Sequence, residues 1–162
     1  QQRAKEARIA EVGEWLLANQ ANGTEDRVFR FRALPYFDSG QNQIAAERKE
    51  LISQQHEDGG WSQKLEMTSD AYATGSVLAA LLRGGSNSTD MVIERGVDYL
   101  LDGQLDDGSW HVVTRAKPFQ PYFETGFPHE KDQFISTAAT GWAMMALALT
   151  LPEVDLETSS VD

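Results

Sequence analysis

The feature that most limits how this chain can fold is a recurrence. Residues 51–61, Leu-Ile-Ser-Gln-Gln-His-Glu-Asp-Gly-Gly-Trp, return as residues 100–110, Leu-Leu-Asp-Gly-Gln-Leu-Asp-Asp-Gly-Ser-Trp. Gln55 and Gln104, Gly59 and Gly108, and Trp61 and Trp110 are each 49 residues apart, so Gln-x-x-x-Gly-x-Trp recurs with no gap inside it. Self-similarity at such a period marks stacked supersecondary units, none of which buries its apolar face alone. With 162 residues the chain is long enough for one domain with a sizeable core and too short for two of ordinary size.

Helix-period patterns supply the rest of each unit. From about Arg3 to Asn19, Ala4, Ile9, Val12 and Leu16 form an apolar stripe broadened by Trp15 and Leu17. Gln20-Ala21-Asn22-Gly23 ends this helix as a worn copy of the repeat turn, with Asp26 where the tryptophan should be. A second helix, about Glu25 to Leu34, is stopped by Pro35 and carries Arg27, Arg30 and Arg32, expected on a solvated face paired with acids. After the turn Phe37-Asp38-Ser39-Gly40, a third runs from about Asn42 to Gln54 into the first full turn. The fourth, Ala71 to Leu82, is capped by Thr68-Ser69-Asp70 and rich in small residues that allow close backbone approach. A fifth, about Asp90 to Leu101, is capped by Ser88-Thr89-Asp90 and ends in the second full turn. The sixth, about Ile135 to Leu151, repeats the fourth, Ala139-Thr140-Gly141 matching Ala73-Thr74-Gly75. Asp70 and Ser136 align as N-caps of these matching helices.

The reading is an all-α domain over residues 1–151, three αα-hairpins in an arc, followed by an acidic tail or linker over 152–162. The first helix is a candidate cap for one end of the arc. The sixth has no charge from Ile135 to Leu151, so it is expected to be covered by the loop before it, by a second copy of the chain, or by a neighbouring domain. The chain begins at Gln1 without methionine or a signal-like segment, as an excised or processed piece would.

Charge and composition exclude several function classes. With 14 basic and 25 acidic residues the net charge is -11, which opposes binding to nucleic acid or anionic lipid. Cysteine is absent, so there is no disulfide, thiolate nucleophile or Cys-ligated zinc, and the compartment stays open. No apolar run approaches the roughly 20 residues of a membrane span.

The turns Gln55-His56-Glu57-Asp58-Gly59-Gly60-Trp61 and Gln104-Leu105-Asp106-Asp107-Gly108-Ser109-Trp110 resemble the QW repeats of squalene and oxidosqualene cyclases and related prenyltransferases. The likeness covers about Arg48 to Leu149. It implies a partial α/α toroid, half of a six-pair ring, in which Gln55, Trp61, Gln104 and Trp110 are structural cement and the alanine-rich helices form the inner layer. More narrowly, residues 109–142 resemble bacterial squalene-cyclase-like domains of unassigned activity.

The family's chemistry is not spelled out in the chain. The cyclase acid resembles Asp-x-Asp-Asp, and no such run occurs. Asp106-Asp107 is matched by Glu57-Asp58 in the earlier turn, and an acidic pair that recurs with the turn is turn chemistry. The Asp-Cys-His zinc site of prenyl transfer lacks its cysteine, an Asp-Asp-x-x-Asp cluster is missing, and nothing calls for a cofactor.

The informative asymmetry follows the second tryptophan. Trp61 precedes Gly75 by 14 residues and Trp110 precedes Gly141 by 31, so the second unit carries 17 extra residues. A loop of that length is functional or disordered. This one, His111 to Asp132, holds Pro118, Phe119, Pro121, Tyr122, Phe123, Phe127 and Pro128, enough apolar surface to order it. Its aromatics either cover one mouth or edge of the arc, or Tyr122, Phe123 and Phe127 line a pocket against Tyr72 and Trp142, with Arg115 or His129 orienting a polar end. Trp142 stands where the earlier unit has Ser76, which makes it a pocket candidate beside the alternative of core packing. His129 with Asp132 is a weaker catalytic candidate, and His111, His129 and Asp132 a weaker metal candidate, neither with helix-fixed spacing. His56 aligns with Leu105 and is read as packing.

Two function classes stand. One is a binding or interaction module for an apolar, isoprenoid-like molecule or a protein segment, with a homodimer or neighbouring domain completing the toroid. The other is an enzyme of unassigned reaction on a terpenoid or carbohydrate.

Overall fold

A computed structural model describes residues 1–37, 41–117 and 122–152, so residues 38–40, 118–121 and 153–162, including Pro118, Phe119, Pro121 and the expected tail, lie outside the described part. Among the described residues there are six α-helices and no strand: α1 Gln2–Ala18, α2 Thr24–Ala33, α3 Gln41–Ser53, α4 Ala71–Arg83, α5 Met91–Asp102 and α6 Gln133–Thr150. Single 3-10 turns lie at Leu34–Tyr36, where Pro35 ends α2, and at Glu130–Asp132, where the chain enters α6.

Helices α2, α4 and α6 form an inner row, with α3 and α5 packed on it from outside. The centre is α4, in which Ala71 and the nine positions from Ala73 to Leu81, all with small or aliphatic side chains, are buried. Its contact with α6 is the most extensive in the molecule. Gly75 explains how: a Cβ there would stand 2.7 Å from the backbone of Trp142 and Ala143, so the two helix backbones meet where a side chain would hold them apart. On the outer side Gly96 of α5 admits Leu78 and the Trp61 ring in the same way, a Cβ falling 2.9 Å from each. Trp61, Leu51, Leu78, Leu81, Ile93 and Leu100 are fully buried around this junction.

The repeat is visible bond by bond. The Trp61 indole N–H donates to Leu51 O at 2.7 Å, and that of Trp110 to Leu100 O at 2.7 Å. The backbone N–H of each tryptophan donates to the threonine of the following inner helix, Thr74 at 2.9 Å and Thr140 at 3.2 Å. Gln55 Nε2 reaches Gly59 O at 2.9 Å, and Gln104 Nε2 reaches Gly108 O at 3.1 Å. Both glycines need the left-handed region, with φ +87 and +81. Asp58 and Asp107 accept the backbone N–H two residues on, each at 2.9 Å, so the acidic pairs belong to the turns.

Three expectations need correction, and the covers expected for α6 are narrowed. Asp70 caps α4, its carboxylate accepting from Ala73 N at 2.8 Å, whereas α6 starts at Gln133 and leaves Ser136 inside the first turn. There Ser136, fully buried, accepts from Val112 N at 3.1 Å and ties the loop to the helix. Arg27 and Arg30 do pair with acids, but in a largely buried seam between α2 and α3, Arg30 Nε standing 2.6 Å from Glu47. Helix α1 is no polar cap: only Gly13 is buried, while Ile9, Val12, Trp15 and Leu17 are exposed. The described part of the loop leaves the outward face of α6 open, with Phe134, Met144 and Leu149 exposed.

Candidate functional site

Helix periodicity divides α2 between two jobs. Arg27 and Arg30 turn to α3, so Glu25, Phe29 and Arg32 lie on the other side, where they meet α4 and α6. Phe29 and Trp142 approach edge to face, ring centroids 6.5 Å apart. The Arg32 guanidinium lies over both rings, 5.6 Å from the Phe29 centroid and 5.5 Å from that of Trp142. Among the described residues it has no carboxylate partner. Tyr72 in the first turn of α4 donates to Glu25 Oε1 at 2.7 Å. Burial, then the Glu25 hydrogen bond and charge, push this phenol up to about 12, so it stays a protonated donor. Arg115 enters from the loop, donates through Nε to Gln63 Oε1 at 2.8 Å, and shares a small pocket with Tyr72 and Glu25. A band of aromatic faces with two guanidinium groups therefore runs across the inner row.

The structure brings Tyr72, Arg115 and Trp142 into this band and puts Tyr122, Phe123, Phe127 and His129 elsewhere. Tyr122 and Phe123 are exposed, and the Tyr122 hydroxyl donates to Glu124. The loop is pinned by buried Gln133, which donates to Phe123 O at 2.9 Å and accepts from Thr125 N at 2.7 Å. Phe127 meets His129 edge to face at 6.3 Å.

His129, His111 and Asp132 form a clasp at the root of the loop. The two imidazoles stack at 4.7 Å with an interplanar angle of 16°. Asp132 pairs with His111 Nε2 at 2.9 Å, not with His129, and accepts from Thr114 N at 2.9 Å. Those bonds, the backbone one foremost, hold its carboxyl below the usual carboxylate range. His129 Nε2 lies 2.8 Å from Ser109 Oγ, whose own proton goes to Asp107 Oδ1 at 2.6 Å. Ser109 thus accepts from His129, the reverse of what a base activating a nucleophile requires. Stacked rings do not converge on one point, and among the described residues no group of three His, Asp or Glu is placed to hold a metal. His129 and Glu130 both have positive φ, 81 and 45, so the clasp stores backbone strain.

A cleft of about 580 Å³ lies between the two turns, with Asp58, Asp70, Tyr99, Asp102 and His111 in its wall. Burial raises the Asp70 carboxyl. Both its oxygens already accept, from Ala73 N and from Gln63 Nε2 at 2.8 Å, which commits it to capping. His56 likewise packs into its turn, Nδ1 3.0 Å from Ser69 Oγ.

Sequence reasoning missed Phe29, Arg32, Glu25 and Gln63. Phe29 and Arg32 are three apart on one helix face, and that spacing was the available signal; their meeting with Trp142, more than a hundred residues on, had none.

Outer and inner helices joined by Gln-to-Trp turns, with an aromatic band on the inner row, define the class as an α/α-toroid repeat domain. The chain belongs to the squalene-hopene cyclase C-terminal domain family, which it matches over residues 8–159. It is also similar to copalyl diphosphate synthase of Streptomyces anulatus, 44% identical over 62 residues, and to that of Streptomyces cyslabdanicus, 40% identical over 62 residues. Each match covers 38% of this chain and only 11% and 12% of those enzymes, so the chain spans about a ninth of the curated relatives it matches.

Proposed function

We propose that the domain is a wall of a binding chamber for an isoprenoid-like ligand carrying an anionic end. The single observation behind this reading is the Arg32 guanidinium over Phe29 and Trp142, a cation with no carboxylate partner among the described residues, beside exposed aromatic surface. Aromatic faces take hydrocarbon, and a guanidinium freed from acids takes phosphate or diphosphate oxygens. The similarity to copalyl diphosphate synthases agrees in chemical class. Tyr72 is a neutral donor at the same surface, and Arg115 a second cation. In this reading the loop aromatics Tyr122, Phe123 and Phe127 flank the entrance and do not form the floor.

A proton-initiated cyclisation within this chain finds less support. Asp70 is the carboxyl raised by burial, yet its oxygens are engaged as acceptors at the helix N-terminus.

The test is calorimetric titration of the chain with geranylgeranyl diphosphate. Trp142→Ala is expected to weaken binding by tenfold or more, the order of one lost aromatic contact, and Arg32→Gln by about tenfold. His129→Ala should leave the Kd within about twofold. Unchanged affinity in both Trp142→Ala and Arg32→Gln would sink the reading.

A further inference from the structure

An asparagine or aspartate stands directly before a glycine at four places in the chain, residues 22–23, 58–59, 102–103 and 107–108. At three of them the glycine N–H is taken by a nearby carbonyl: Gly59 N donates to His56 O at 3.0 Å, Gly103 N to Tyr99 O at 3.2 Å and Gly108 N to Leu105 O at 2.8 Å. The intact turns also occupy the acid itself, since Asp58 and Asp107 each accept the backbone N–H two residues on. The worn turn at Gln20-Ala21-Asn22-Gly23 has neither restraint. Gly23 N donates to no group among the described residues, and the exposed Asn22 bonds only through its backbone N–H, to Asp26 Oδ2 at 3.2 Å.

An unengaged nitrogen beside an unengaged amide is a reactive pair. The ionised backbone nitrogen of Gly23 attacks Cγ of Asn22, forming the N–Cγ bond of a five-membered succinimide and expelling the side-chain nitrogen as ammonia. Water then opens the ring. Attack at Cγ leaves aspartate in the original linkage, and attack at the backbone carbonyl leaves isoaspartate. The net change replaces an amide by a carboxylate and adds a negative charge, with water as the co-reactant. Glycine has no side chain to shield its nitrogen, whereas Asn19, Asn42 and Asn87 are followed by Gln20, Gln43 and Ser88. Asn19 is also held through Nδ2 to Trp15 O at 2.8 Å, and Asn42 lies in the first turn of α3.

We infer that Asn22 is a site of spontaneous deamidation in the folded protein, and that the open worn turn is what exposes it. The chain is anchored again at Thr24, whose N donates to Gln63 O at 3.3 Å and whose Oγ1 donates to Ser62 O at 2.6 Å. The new carboxylate has a place in the fold. Asn22 lines a cavity of about 240 Å³ with Arg27 and Lys64, at the start of α2 where negative charge is favoured; Asp26 and Glu66 are the acids beside it. Arg27, though paired with Glu47, keeps a buried Nε that has no partner among the described residues. This stands apart from the ligand reading, because neither Trp142 nor Arg32 takes part in it.

Peptide mapping by mass spectrometry of the folded chain, aged at neutral and at mildly alkaline pH, tests it. Asn22 should convert at least tenfold faster than Asn19, Asn42 or Asn87, with isoaspartate among the products, and faster at the higher pH because the attacking nitrogen must ionise. The sharper comparison is Asp107→Asn, which sets the same Asn-Gly pair into an intact turn. An amide oxygen there can keep both bonds from Ser109, so helical circular dichroism should match wild type. Its new amide should convert at least tenfold more slowly than Asn22 of the same molecule, and catch up when the chain is unfolded in urea. Asp58→Asn repeats the comparison in the first turn. An Asn22 that keeps its amide in the folded chain would overturn the inference. So would equal rates at residues 22 and 107 in the folded variant, because the dipeptide and not the open turn would then set the rate.

Discussion

At the residue scale the clasp beneath the long loop gives the sharpest consequences. Glu130 holds φ 45 next to His129 at φ 81, conformations that cost an L side chain roughly 1 kcal/mol each. Glu130→Gly is therefore expected to stabilise the fold by about 0.5–1 kcal/mol in urea unfolding, against the usual cost of adding a glycine. Asp132 carries the pH dependence. Its folded-state carboxyl lies below the ordinary value, so the stability it adds is fully present above about pH 4 and is lost as pH falls through the lower folded value. Asp132→Asn should flatten that part of the acid-unfolding curve while leaving its neutral part parallel to wild type; an unchanged acid limb would mean that His111 and Thr114 do not hold the ionised form. Sequence brought His111, His129 and Asp132 together as residue types, but their pairing depends on the 3-10 turn at Glu130–Asp132, which no periodicity announces.

At the scale of elements, Gly75 is intolerant of a side chain and the two repeat glutamines differ in sensitivity. Gly75→Ala places a methyl against the α6 backbone and should cost about 1–3 kcal/mol, overriding the better helix propensity of alanine. Gln55→Ala leaves Gly59 O without its side-chain donor and breaks the bond across to Val92 O, and should cost about 1–2 kcal/mol, whereas Gln104→Ala, on an exposed turn, should stay within about 0.5 kcal/mol. Thermal unfolding of the three variants checks all of this, and equal costs for the two glutamines would deny the difference between the turns. The helices were legible because alanine-rich and amphipathic periods are local, and α4 starts at Ala71 as its cap requires. The start of α6 was not, because Asp132 and Gln133 bond to a loop distant in sequence rather than to their own helix end.

Over the whole molecule, the 49-residue recurrence carried the architecture and the family, since matched turns impose matched hydrogen bonds on separate stretches of chain. The inner band was half legible: Trp142 stood out as a departure from the repeat, Arg115 as part of the extra loop and Tyr72 as a facing pocket wall, while Phe29 and Arg32 were hidden in what looked like a solvated arginine face. The band combines a hydrocarbon surface with a cation, and a ligand series separates the two. Calorimetry of the chain with geranylgeranyl diphosphate, geranylgeraniol and inorganic diphosphate, under one set of conditions, is the most direct measurement. The prenyl diphosphate should bind tightest, the alcohol about tenfold more weakly for want of the charged hydrogen bonds, and inorganic diphosphate weakest. Inorganic diphosphate binding as tightly as the prenyl diphosphate, or no heat from either prenyl compound, would contradict the assignment of this inner face to an isoprenoid-like ligand.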